Sequence, residues 1–204
     1  MAVTKVDIAS RALIMIGASP ISSFSDDNTE GLVTNNIYEE IVEATLTRHR
    51  WGFASGQKQL SLLSDAPVGR FEYAYQMPAD PAVLQIITVT SNDTVLRYER
   101  YEDKIYLDGY GSNSTVIMDY IFRQDESKFP PYFRLALEYK LASIYAGAVA
   151  RDAGMIKEFN ELAERQLLIA RNSESQETTS NQIATNRFIE NRRSTRTSGF
   201  GLNG

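Results

Sequence analysis

The sequence predicts an α+β fold: a four-helix bundle core, a small antiparallel β insert between helices 2 and 3, and an extended C-terminal arm. Three observations lead there. Apolar residues recur at three- and four-residue spacing in four segments, two on each side of the middle of the chain. Between them, residues 58–122 are rich in tyrosine and β-branched types broken by turn signals. After Asn172 the composition turns to Ser, Thr, Asn, Gln, Arg and Gly. Residues 1–56 and 123–172 are thus assigned to the bundle, 57–122 to the β insert and 173–204 to the arm.

The first helix is expected over Thr4 to Ile16, with Val6, Ala9, Leu13 and Ile16 on one side. Thr4 is placed to cap it, with Asp7 three residues on, and Gly17 and Pro20 to stop it. Ser25-Asp26-Asp27-Asn28 supplies cap candidates for a second helix that runs to about His49. Val33, Ile37, Ile41, Ala44 and Arg48 mark its expected inner edge. Acids crowd its first half and Arg48 and Arg50 its end, as the helix dipole favours. In the insert, Phe71-Glu-Tyr73-Ala-Tyr75 alternates, Val83 to Thr90 is an apolar run, and Val95–Arg100, Lys104–Leu107 and Val116–Phe122 complete the strands. Asn92-Asp93 and Asp108-Gly109 read as turns. Phe129-Pro130-Pro131 opens a third helix where a missing N–H costs least, with Phe133, Leu137, Leu141, Ile144 and Ala148 buried. A fourth is expected from Met155 to Arg171, with Ile156, Phe159, Ala163, Leu167 and Ala170 inward.

Composition bounds the chemistry. The 204 residues carry a net charge of −5, contain no cysteine and have one histidine. A disulfide and a thiolate metal site are therefore excluded. The first residues have no apolar core of the signal-peptide kind, and no apolar run approaches the roughly 20 residues that cross a bilayer. The expectation is a soluble chain. The charge is uneven: from Ser180 onward there are four arginines against one acid, Glu190. Such a stretch buries too little apolar surface to offset its ordering entropy by itself, so it is either disordered or ordered by a partner.

The candidate sites each have a plainer reading. His49 has no second histidine for a metal pair and no Gly-x-Ser-x-Gly elbow for a triad, so a helix-end histidine packed near Trp51 is expected. Asp26, Asn28, Glu30 and Gly31 imitate the first half of a calcium loop, but position twelve is Ile37 where a bidentate Glu belongs. Glu39, Glu40 and Glu43 lie off the apolar edge of their helix, as a solvated or inter-subunit face would. Gly109-Tyr-Gly111 lacks the rest of a phosphate loop. Tyr73, Tyr75, Tyr98, Tyr101, Tyr106 and Tyr120 fall on strands among many acids. That favours a packed sheet with an interaction surface over a platform for single-stranded nucleic acid. No cofactor, metal or catalytic residue is indicated.

Several segments in order resemble a family. Ala12-Leu13…Ile16-Gly17, Arg48-His49-Arg50-Trp51-Gly52-Phe53-Ala54, Tyr75-Gln-Met-Pro78-Ala79-Asp80, Ile105-Tyr106-Leu107-Asp108, Asp119-Tyr120-Ile121 and Phe133…Ala136-Leu137…Leu141-Ala142 are similar to segments of the tail tubular protein A family. Its members are head–tail adaptors of short-tailed phages. A proline often follows the histidine there; Arg50 stands at that place here. The resemblance covers roughly residues 4–172. It implies a structural virion protein, not an enzyme, at the head–tail junction. It would be assembled in the bacterial host cytoplasm as a ring, usually of twelve copies, beneath the portal. Tail or nozzle proteins would meet the β insert, and DNA would pass without specific binding. It also implies an arm that reaches the portal; the tail's composition, which the resemblance does not cover, suggests Arg187, Phe188, Ile189, Arg192, Arg193, Arg196 and Phe200 as its contacts. A stopper or terminator at another neck position, a nucleic-acid-binding module using the basic arm, and a small enzyme built on His49 and the helix-two acids remain as alternatives.

Overall fold

A computed structural model describes residues 3–177, apart from 66, 68, 93, 112 and 113. Among the described residues four helices frame the fold: α1 (Lys5–Met15), α2 (Thr29–Leu46), α3 (Pro131–Tyr145) and α4 (Ala153–Glu177). Thr4 and Asp7 close a reciprocal capping box on α1, which satisfies two otherwise orphaned N–H groups. Asn28 caps α2 by accepting from Gly31 N at 2.6 Å, and Pro131 opens α3. The helix α3 is buried on most sides, with Phe133, Ala136, Leu137, Leu141, Ala142 and Tyr145 all fully covered. It ends in a π-helical turn, Ala146–Ala150, closed by Arg151 at φ 55°.

The expected small β insert is corrected. Among the described residues eight strands form two four-stranded antiparallel sheets: β1 (Ser55–Gln59), β2 (Ser61–Leu62), β3 (Tyr73–Gln76), β4 (Val83–Ser91), β5 (Thr94–Val95), β6 (Glu99–Tyr101), β7 (Lys104–Leu107) and β8 (Ile117–Phe122). The strand orders are β1-β8-β4-β5 and β2-β3-β7-β6. The first sheet is a partition with apolar residues on both faces. Ile121, Leu84 and Ile87 join the core made by the helices. Met118, Tyr120, Val83, Ile86 and Val89 join a second core with Tyr75, Ile105 and Leu107 of the other sheet. Period-two alternation along β8 sends Met118 and Tyr120 one way and Ile121 the other. The molecule is thus three layers, helices then sheet then sheet, and the strands are too extensive and too shared to be an appendage of a four-helix bundle.

Two helix expectations also shift. The buried positions of α2 are Gly31, Thr34, Tyr38, Val42, Thr45 and Leu46; Val33, Ile37 and Ile41 of the expected edge pack half-buried against the same core, while Ala44 and Arg48 are exposed. Polar side chains sit inside because each finds a partner. The Thr34 hydroxyl donates to Tyr145 Oη at 2.9 Å and Thr45 Oγ1 to Ile41 O at 2.7 Å. Burial pushes the Tyr145 phenol up to about 12, partly opposed by that bond. The helix α4 continues to Glu177, past Asn172, so residues 173–177 are helical and do not belong to an extended arm. No helix among the described residues is long and apolar enough to cross a membrane.

Candidate interaction surfaces

The strand tyrosines separate into two sets because strand residues alternate. Tyr75 and Tyr120 turn into the core between the sheets, at 1% and 3% exposure. The Tyr75 hydroxyl donates to Tyr110 O at 2.8 Å. Outside, Tyr101 and Tyr106 meet edge to face at 5.3 Å, and Phe71 lies 5.8 Å from Tyr106 and 6.4 Å from Tyr101. Arg70 stacks over Phe71 at 5.2 Å and binds Glu99 at 2.6 Å; Glu99 also accepts from the Tyr101 hydroxyl at 2.6 Å. Arg70 and Tyr101 together hold the Glu99 carboxyl below the usual carboxylate range, the tyrosine bond being the larger cause.

Grooves flank this cluster on both sides. One, of about 560 Å³, runs over Phe71, Val95, Tyr98 and Tyr110. The other, of about 490 Å³, lies between Phe71, Tyr101 and Tyr106. Val95 is 70% exposed and Tyr101 49%. Tyrosine, phenylalanine and arginine gathered on one exposed edge are the residue types that carry binding energy at protein interfaces. The edge strands β5 and β6 both end on this surface.

On the helical side, the Arg48–Ala54 segment is a packing hinge. Trp51 is fully buried against Phe133 at 5.1 Å and Phe53 at 6.0 Å, and its indole N–H reaches Thr45 O at 3.3 Å. His49 stacks edge-on against Trp51 at 4.9 Å, the arrangement the sequence pointed to. Burial, then the charge of Arg171, hold its imidazole below the ordinary value, with Glu174 opposing. The segment is pinned from α4: Arg48 forms a two-pronged pair with Glu164 at 2.6 and 2.8 Å, and Arg171 Nη2 donates to Arg48 O at 3.1 Å. Glu174, 7% exposed, accepts from Gly52 N at 2.5 Å and from the Tyr132 hydroxyl.

The helix-two acids part company. Glu39 pairs with Arg123, whose guanidinium also reaches Glu126 at 2.5 Å; Tyr38 donates to Glu126 at 3.2 Å. Burial of Tyr38 beside Glu126 drives its phenol far above the ordinary range. Among the described residues, no three His, Asp or Glu side chains gather in a way that would hold a metal ion. Asp26 accepts from Ser22 N at 2.8 Å and Asn28 caps α2, which occupies the calcium-like segment with local bonds. Gly109 takes φ 77° in the turn after β7, and its N–H donates to Glu72 at 3.1 Å.

Arg187, Phe188, Ile189, Arg192, Arg193, Arg196 and Phe200 lie outside the described residues. Sequence reasoning missed Arg123 and Glu174. The second left a signal: Ala163, Leu167, Ala170 and Glu174 continue one helix stripe at spacings of four, three and four. No known protein family matches the chain, and no curated protein matches it.

Proposed function

We propose that the chain is a structural head–tail adaptor that joins copies of itself into a ring beneath a portal, binds tail proteins through its sheets, and lets DNA pass. Its work is mechanical, not catalytic. The observation that supports this reading is exposed apolar side chains on both parts of the fold: Ile14, Leu32, Leu168 and Ile169 on helices, and Val95 and Tyr101 on sheet-edge strands beside the Phe71–Tyr106 aromatic pair. A ring that closes head to tail needs two different complementary faces on each copy, unlike a two-fold dimer, which uses one face twice.

Two features agree with it. The ordered segments that resemble tail tubular protein A fall largely on core positions, with Trp51, Tyr75, Ile105, Phe133 and Leu137 buried, as a shared scaffold would have them. The helix α2 carries Glu30, Glu39, Glu40 and Glu43 and no basic residue, with Glu39 paired to Arg123, so the helix's own charge does not attract the phosphate backbone. In this reading the twelve-fold ring sits at the head–tail junction of the virion. The basic arm, with Arg187, Phe188, Ile189, Arg192, Arg193, Arg196 and Phe200, is its grip on the portal.

The test is truncation. A chain ending at Glu177 keeps every described helix and strand and should unfold with the same midpoint as the full chain. It should fail to co-sediment with portal from the same virus, which the full chain should do. Portal binding by the truncated chain at full-length affinity rules out the arm as the grip.

A further inference from the structure

The last turns of α4 hold on by unusual means. Beyond Ala170 the helix has no apolar residue: its sequence runs Arg171-Asn-Ser-Glu-Ser-Gln-Glu177. Ser173 and Ser175 turn their hydroxyls back onto Ile169 O and Arg171 O at 3.1 and 2.8 Å, a pattern that loosens a helix. The final turn holds Glu174 and no basic residue, which opposes the helix dipole. Arg171 Nε is buried with no partner among the described residues, so the seam is imperfectly satisfied. Against these stands one buried carboxylate. Glu174 reaches across to the Gly52 N–H at 2.5 Å and the Tyr132 hydroxyl. Gly52 is the seat: a Cβ built there would stand 2.7 Å from Glu174 Oε1.

We propose that residues 172–177 are a releasable strap, with Glu174 as its catch and the Gly52 N–H and Tyr132 hydroxyl as its keeper. When closed, the strap continues α4 and fixes the root of the C-terminal segment beside Trp51. When open, it frees six residues that span roughly 20 Å at full extension. Local opening of this kind draws on the least stable part of a fold and leaves the rest intact. The strap stands on the geometry of the described residues alone and does not depend on the adaptor reading.

Hydrogen–deuterium exchange on the full-length chain tests it. In the wild type, amides of 172–177 should exchange faster than those of 156–170. Glu174→Gln should speed exchange in 172–177 about tenfold, because charge-assisted bonds become neutral ones, and leave 156–170 unchanged. Gly52→Ala, which unseats the catch while leaving the sequence of α4 unchanged, should act in the same direction. Ser173→Ala with Ser175→Ala should slow exchange in 172–177 below wild type. If Glu174→Gln leaves 172–177 as protected as before, or deprotects all of α4 equally, there is no separate strap. Failure of the serine pair to slow exchange would equally overturn the proposal.

Discussion

Replacing Arg123 by Met probes the joint between helices and sheets. Arg123 follows β8 directly, and its guanidinium ties Glu39 of α2 to Glu126 in the turn before α3. Its side chain is 22% exposed, that of Glu126 10% and that of Glu39 57%. The Glu39 arm is therefore a surface pair, contributing under about 1 kcal/mol. The Glu126 arm is buried. Without Arg123 that carboxylate keeps, among the described residues, the Tyr38 hydroxyl at 3.2 Å. Removing one partner of a buried pair costs about 3–5 kcal/mol, and the lower end applies because water can reach Glu126 once the arginine is gone. A loss of about 3 kcal/mol lowers the thermal midpoint of a chain this size by about 6–12 °C. Urea unfolding followed by the fluorescence of Trp51, the only tryptophan and fully buried, gives the number directly. Adding Glu126→Gln to the Met variant removes the stranded charge and should restore at least about 1 kcal/mol. A loss below about 1 kcal/mol, or no recovery in the double variant, would refute the claim that a stranded buried charge sets the cost.

Other outcomes follow from buried titrating groups. Burial raises the Glu138 carboxyl above its usual range, with Arg11 at 3.4 Å opposing. Between the ordinary and the raised value the folded state binds more protons, so this group's contribution to stability falls as pH rises through that window. Glu138→Gln should flatten the fall and equal or exceed wild-type stability at neutral pH, measured by thermal melts from about pH 4 to pH 7. His49 runs the other way on an imidazole. Its value is lowered by burial, so the unfolded chain takes up a proton first and stability drops as pH falls below the ordinary histidine value. His49→Gln should remove that part of the acid-side loss. It should also leave assembly with the portal unchanged, whereas an enzyme built on His49 would lose its activity.

Much of the local structure was legible because local rules decide it. The Thr4–Asp7 capping box and the Pro131 start of α3 needed only neighbouring residues. The strands β4, β7 and β8 announced themselves by apolar runs that fill a core. What was not legible depends on distant partners. Thr34 and Tyr38 look like outward residues of α2 until Tyr145 and Glu126, more than eighty positions away, accept them inside. The strand β1 reads Ser-Gly-Gln-Lys-Gln, with no alternation to detect, because it is an edge strand that pairs only with β8. Apolar residues on both faces of β8 and β4 reveal burial but not that the sheet divides two cores, so the sequence alone points to a small insert. The tyrosines were visible as a set, yet only register separates Tyr75, inside, from exposed Tyr101 and half-buried Tyr106, which cluster with Phe71 outside the core. Glu174 was hidden by its company: a polar stretch suggested an arm, while the stripe that reaches it continues the inner face of α4.

The central claim is that copies of this chain close into a ring on a portal. Electron microscopy of the full-length protein, alone and mixed with the portal assembly of the same virus, tests it most directly. The account predicts portal particles that gain one added ring with an open central channel and the portal's own rotational symmetry. Portal particles unchanged in length and outline at saturating protein would contradict it.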